Sequence, residues 1–340
     1  MKRRDFLTGA GSLVPGAALG FPAPAIAQGI RQLKMVTDWP DGPGHYQSAL
    51  RFAQTVEVST GGRINIQVFP VGAFVGPFET FGAVSAGVAD MYHTYEGYFV
   101  QKSPAFQFFA AIPYGFTADE LFAWVHYGGG QELWDALSGQ FNIKSLLCMN
   151  TGCQMGGMAG PGAEVLRRLG AIVVVLPGSE IMQSLKSGAI DGVEWVGPWL
   201  DMAMGLHTAA SYYYYPGFHE PSAGIAAGIN KGVWESLGAS DRRLIEAAAA
   251  SEYARSLAEF NTNNAFSLHR LREETTVKIL KFDDRILKAF RDISKDVVAE
   301  IGSGDDLSKK IYRSYQQFHA SITNWSDIAE HAVLNSRGLA

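Results

Sequence analysis

Cysteine is nearly absent from this 340-residue chain: there are two, Cys148 and Cys153. Two cannot form a disulfide framework, and their spacing is not the C-x-x-C of a redox centre, so they read as a local clip or as small apolar fillers. Excess positive charge is absent as well. Lys and Arg number 28 against 33 Asp and Glu, the net charge is −5 and the basic residues are dispersed, which excludes an electrostatic nucleic-acid surface. Beyond the N-terminus no run is long and apolar enough to span a bilayer. There is no G-x-S-x-G, no H-E-x-x-H and no glycine fingerprint behind the first predicted strand, and the eight histidines are scattered. Internal repeats and low-complexity segments are missing too. What remains is a soluble globular composition, 47% hydrophobic and 12% aromatic, with length for two domains.

The N-terminus reads as an address. Met1 to Leu7 is M-K-R-R-D-F-L, followed by a Gly/Ala-rich run and the small-x-small triplet Ala25-Ile26-Ala27. This predicts a twin-arginine export signal over residues 1–27 and a mature protein starting near Gln28 in a bacterial periplasm.

The body alternates between strand and helix signals. Leu33 to Thr37, Arg63 to Phe69, Asp90 to Tyr95, Lys144 to Asn150, Ile172 to Leu176, Ala189 to Val193, Tyr212 to Pro216 and Ala223 to Asn230 read as strands. Helical spacing fills the intervals, notably His45 to Thr60, with Ala49, Phe52, Ala53 and Val56 on one face. Strand, helix, strand is the opening unit of an α/β domain. Everything from Ala239 reads as helical, including an unbroken stretch to about Glu274 of some 50 Å. That is longer than one domain is wide, so it braces two lobes or reaches a second subunit. Four successive tyrosines, Tyr212 to Tyr215, suit either a strand crossing between lobes or a half-exposed edge.

The organising stretch is Ser187 to Pro198, S-G-A-I-D-G-V-E-W-V-G-P. It closes a helix at Gly188, enters an apolar run, and ends on a carboxylate, Glu194, and an indole, Trp195, before the breakers Gly197 and Pro198. An acid and a large aromatic at a strand tip are where an open α/β sheet receives a ligand. Trp39 follows the first predicted strand. His93, Thr94 and Tyr95 end the third, and Gln154 follows the fourth, so all lie at strand tips.

Several stretches together resemble the extracytoplasmic solute-binding proteins of tripartite ATP-independent periplasmic (TRAP) transporters, the DctP type. The nearest likeness is to the branch that binds 2-oxo monocarboxylates and lactate. The matching stretches include Thr37-Asp38-Trp39-Pro40, Gly61-Gly62-Arg63-Ile64, Asn150 to Gly157, Glu164 to Gly170, Ser187 to Pro198 and Tyr213 to Pro221, in the family's order. The resemblance implies an α/β, two-lobed periplasmic binding protein fold (type II-like) with long C-terminal helices. Residues 28–150 would be mainly the first lobe, 151–238 mainly the second with crossover strands, and 239–340 bracing helices. It implies a small monocarboxylate ligand bound together with Na⁺ or Ca²⁺, delivery to membrane permease subunits, and a homodimer through the C-terminal helix. By the resemblance, Gln154 contacts ligand and metal, Glu194 and the Trp195 carbonyl complete the metal site, and His93, Thr94, Tyr95 and Glu220 line the cleft. Such donors are hard oxygens, suited to Na⁺ or Ca²⁺ and not to zinc. The chain departs from the family pattern once. About twenty residues after Gly157 are missing, with a strand and an arginine that grips the ligand carboxylate. Losing that arginine removes a charge-assisted bond of about 1.5–3 kcal/mol. Two other readings follow from the residues: a periplasmic α/β enzyme using Glu194 as base with His93 or His219, and a receptor that has lost its ligand.

Overall fold

The computed structural model describes residues 29–152 and 160–338. The expected export signal, Cys153 and Gln154 lie outside the described residues. β1 (Arg31–Thr37) splits its side chains between two faces, Leu33 and Met35 to one and Val36 to the other. α1 (His45–Ser59) buries the predicted Ala49, Phe52, Ala53 and Val56. Gly61 and Gly62, both at positive φ, then turn the chain into β2 (Ile64–Phe69). α2 (Thr80–Ser85) leads to β3 (Met91–Thr94), and α3 (Gln107–Ala110), α4 (Ala118–Tyr127) and α5 (Gly130–Ser138) lead to β4 (Ile143–Asn150). α4 starts on a reciprocal cap between Thr117 and Glu120.

After residue 160 come α6 (Pro161–Arg168), α7 (Gly178–Ser187), α8 (Pro198–Ala203) and β5 (Tyr212–Tyr215). β6 (Gly224–Asn230), α9 (Lys231–Ser236), α10 (Ala239–Glu274) and β7 (Lys278–Lys281) follow. α11 (Asp284–Gly302), α12 (Asp306–Ser326) and α13 (Ala332–Ser336) close the chain. No helix among the described residues is long and apolar enough to cross a membrane.

The main sheet has the order β2-β1-β3-β6-β4. β1 is parallel to β2 and β3, whereas β6 runs antiparallel between β3 and β4. The chain therefore leaves this sheet after β4 and returns to its middle some seventy residues later. The register Thr37 to His93 puts the Trp39 loop and Tyr95 on one rim, as expected for parallel strands. One face carries an aromatic core of Phe81, Tyr92, Phe106, Phe109, Trp124 and Trp134. The other packs α1 and α10 through Phe52, Val56, Ile245 and Ala249. α10 runs 36 residues, about 54 Å, and meets both α1 and α8.

Two expected strands do not form. Ile172 to Leu176 and Ala189 to Val193 have no ladder partner among the described residues. Ile172 is 96% exposed, and Val174 and Val175 lie open beside it. Alternation and β-branching make a strand only where a neighbour accepts its backbone groups. The only pairing outside the main sheet, among the described residues, joins β5 and β7 in parallel. β7 is also the exception to an all-helical chain after Ala239. Of the two readings of the four tyrosines, the edge is observed: Tyr212, Tyr214 and Tyr215 are exposed, and Tyr213 turns inward.

Candidate functional site

Three pieces of chain bring acids together below the rim. The turn into α8 carries Glu194 and Trp195, the first turn of α8 carries Asp201, and the loop before β6 carries His219 and Glu220. The Glu194 side chain is 8% exposed and that of His219 6%, with Nε2 of His219 lying 3.3 Å from Oε1 of Glu194. Oε2 of Glu194 is buried without a hydrogen-bond partner among the described residues. From the first sheet, Tyr95 Oη donates to Oε1 of Glu220 at 2.9 Å. Tyr98 stands edge-on to Tyr95, with centroids 5.2 Å apart.

Burial sets the electrostatics. It holds the Glu194 carboxyl well above the usual carboxylate range, and neighbouring Asp201 raises it further. Glu220 is pushed up to about 7 by burial and then by Glu194. Asp201 is pushed up to about 6 by burial, against three hydrogen bonds that favour its charged form. Burial lowers the His219 imidazole to about 4, so it is neutral at neutral pH. Among the described residues no lysine or arginine is a source of these shifts. Glu194, Asp201 and Glu220 thus form a buried acidic group in which burial is the first cause of each raised carboxyl.

Trp39, His93 and Thr94 are tied to their own loop. Trp39 Nε1 donates to Nδ1 of His93 at 2.9 Å, and the indole stacks on His45 at 4.3 Å. Nε2 of His93 is buried without a partner among the described residues, and burial lowers this imidazole to about 3. Thr94 Oγ1 donates to Asp38 Oδ2, which also accepts from Thr80 Oγ1 at 2.7 Å, while Phe78 N–H donates to Asp38 Oδ1 at 2.7 Å. These residues form the wall behind Tyr95.

Gln154 lies outside the described residues, but the chain on either side is anchored at the cluster. Thr151 N–H donates to the carbonyl of Ala223 at 3.4 Å, and Gly152 N–H to Asn150 Oδ1 at 2.7 Å. On the far side, a Cβ on Gly162 would lie 2.5 Å from Cβ of His219, so only glycine lets α6 start so close. The sequence pointed to Glu194, Trp195, Tyr95 and Glu220. It gave no signal for Asp201, Tyr213 or Asp38, whose partners are set by folding.

The chain matches the bacterial extracellular solute-binding proteins, family 7, over residues 35–161 and 158–305. It belongs to that family. The two matched stretches overlap at residues 158–161, just after Gly157. A monocarboxylate 2-oxoacid-binding periplasmic protein of Nostoc is 32% identical, over 89% of this chain and 88% of its own length. A TRAP transporter solute-binding protein of Bordetella bronchiseptica, a mixed-occupancy dimer with calcium and picolinate in one active site, is 30% identical with TM-score 0.87, covering 90% of this chain and 97% of that one. One from Pseudoalteromonas atlantica with bound sodium and pyruvate is 29% identical with TM-score 0.86, covering 90% and 99%. The fold is the α/β, two-lobed fold of these periplasmic binding proteins. This family-7 chain is a TRAP solute-binding receptor.

The donors fit a hard cation. Among the described residues no three His, Cys, Asp or Glu side chains converge as a metal cage. A buried carboxylate oxygen without a partner, beside two more acids, is what one cation bound through oxygen would satisfy.

Proposed function

We propose that this receptor binds a small monocarboxylate, a 2-oxo acid such as pyruvate or else lactate, together with Na⁺ or Ca²⁺, and hands it to TRAP permease subunits. The observation that carries the reading is the buried Oε2 of Glu194, without a hydrogen-bond partner among the described residues and beside the acid Asp201. An anion entering that pocket alone would meet Glu194 and Glu220. A cation there would favour the charged form of Glu194 and supply the attraction for a carboxylate ligand. Glu194, the carbonyl of Trp195 and Gln154 would hold it. Tyr95, Glu220 and Gln154 would face the ligand, with His93, Thr94 and Trp39 as the wall. The names of the Nostoc, Bordetella and Pseudoalteromonas proteins support this ligand class.

Residues 28–150, 151–238 and 239–340 serve in this reading as the first lobe, the second lobe with its crossover strands, and the bracing helices. Residues 1–27 would send the chain through the twin-arginine route to the periplasm. A homodimer would form through the C-terminal helices, where Trp325, Ile328, Val333 and Leu334 are exposed. Light scattering on Trp325→Lys checks this.

The test of ligand binding is a thermal-shift titration with pyruvate, 2-oxobutyrate and lactate, each with Na⁺, Ca²⁺ or chelator. A saturable rise that requires acid and cation together is expected. A rise that survives removal of both cations overturns the cation bridge. A cooperative melt with no shift from any acid overturns the receptor reading. It would favour a chain that has lost its ligand.

A further inference from the structure

Asp201 is a buried acid that the reading above does not use. Its Oδ1 accepts from the backbone N–H of Val196 and of Gly197, both at 3.1 Å. Its Oδ2 accepts from Tyr213 Oη at 2.6 Å. Tyr213 is the one tyrosine of the four that turns inward, so the role of that run rests on a single ring. The Trp195–Val196 peptide is trans, the one cis bond among the described residues being Tyr215–Pro216. In a planar trans peptide the carbonyl points opposite to the N–H. Fixing Val196 N–H on Asp201 therefore fixes the Trp195 carbonyl on the opposite side. The same turn is held on its other flank by α10, where Asn264 Oδ1 accepts from Trp199 N–H at 3.0 Å.

We infer that Asp201, braced by Tyr213, is the positioning residue that aims the Trp195 carbonyl at the cation. This rests on the cation site proposed above. An acid in the first turn of a helix can also serve only as a cap. The two roles differ in what happens at the ion. If the carbonyl is aimed by Asp201, losing the acid frees the carbonyl, and water takes its place.

The test uses Tb³⁺ as a Ca²⁺ substitute, with luminescence lifetimes in H₂O and D₂O to count waters on the bound ion, and calorimetry for Ca²⁺ affinity. Asp201→Ala is expected to weaken Ca²⁺ roughly 10- to 100-fold, as losing a group behind a metal ligand does, and to add about one water to Tb³⁺. Tyr213→Phe leaves the carboxylate unbraced and is expected to weaken Ca²⁺ by about threefold to tenfold, and it carries the test should Asp201→Ala not fold. Asp201→Asn keeps an oxygen facing both N–H groups and is expected to stay within about threefold of the parent. Parent-like hydration and affinity in both Asp201→Ala and Tyr213→Phe overturn the inference. So does an Asp201→Asn as weak as Asp201→Ala, because the carboxylate would then act by charge. A parent protein that binds neither Tb³⁺ nor Ca²⁺ removes the cation reading itself, an outcome separate from these.

Discussion

Replacing Trp39 with phenylalanine tests whether the wall behind Tyr95 serves the fold or the ligand. Among the described residues the indole N–H is the only hydrogen-bond partner of the buried His93 ring nitrogens, since Nε2 has none. Trp39→Phe leaves Nδ1 of His93 unpaired in a fully buried place, a cost of about 1–3 kcal/mol. Shrinking an indole that is 3% exposed removes roughly 40 Å² of buried apolar surface, about 1 kcal/mol more. The expected loss is about 2–4 kcal/mol, read from urea unfolding at pH 7. His93→Leu strands the indole N–H and should cost about 1–3 kcal/mol by the same argument. The double variant strands nothing. It should therefore be more stable than the sum of the singles predicts, by about 2–6 kcal/mol, the two stranding costs together. Its pyruvate affinity should stay within about threefold of the parent, because the two side chains are tied to each other. Strict additivity would refute the hydrogen-bond argument. A folded double variant that binds more than about tenfold weaker would refute the assignment to the wall, making Trp39 or His93 a ligand contact.

Three further outcomes follow from the geometry. Glu194→Gln should fold and lose cation-dependent binding of pyruvate by about a hundredfold or more, measured by calorimetry with and without Ca²⁺; retained cation dependence counts against the site. Burial holds His45 at about 3, so the unfolded chain takes up its proton first as pH falls below 6.5. Stability is then lost with acid at up to about 1.4 kcal/mol per pH unit, and His45→Phe, which keeps the ring contacts to Trp39 and Phe260, should flatten the urea midpoint between pH 6.5 and 4.5. An unchanged slope would mean that His45 does not titrate this way. Val174→Lys, on an exposed unpaired run, should change stability by less than about 0.5 kcal/mol and delay aggregation on heating, followed by light scattering; a large drop in stability would mean the run is packed after all.

The legible parts of the fold were those whose partners are local or whose pattern is strong. Met35 and Val36 announce two buried faces, Phe52 and Val56 announce a helix face, and the run from Ala239 to Glu274 contains neither Gly nor Pro. Ile172 to Leu176 carries as good a strand signal as any, yet pairing requires a neighbour, and intrinsic preference does not supply one. At the site, residue type marked Glu194 and Trp195 because a charge and an indole beside breakers are costly without a role. Asp201 had no such mark, since an acid opening a helix is ordinary. Its meaning came from Tyr213, twelve residues on, and from two N–H groups that face it only once the turn has formed. His219 drew notice as a possible enzyme partner, and folding set it neutral against Glu194.

The long helix α10 has a consequence for how the molecule comes to exist. Asn150 N–H, at the end of the last strand before the chain leaves the sheet, is capped by Ser256 Oγ, and Arg51 in the first helix is paired with Glu252. Phe116 N–H finds Tyr315 Oη, some two hundred residues later. None of these early groups has its partner until the last third of the chain has been synthesised. A nascent chain stopped before Ser240 would hold an open sheet with unpaired donors and a bare aromatic face. The sheet and its aromatic face are therefore completed only by the finished polypeptide, through contacts distant in sequence.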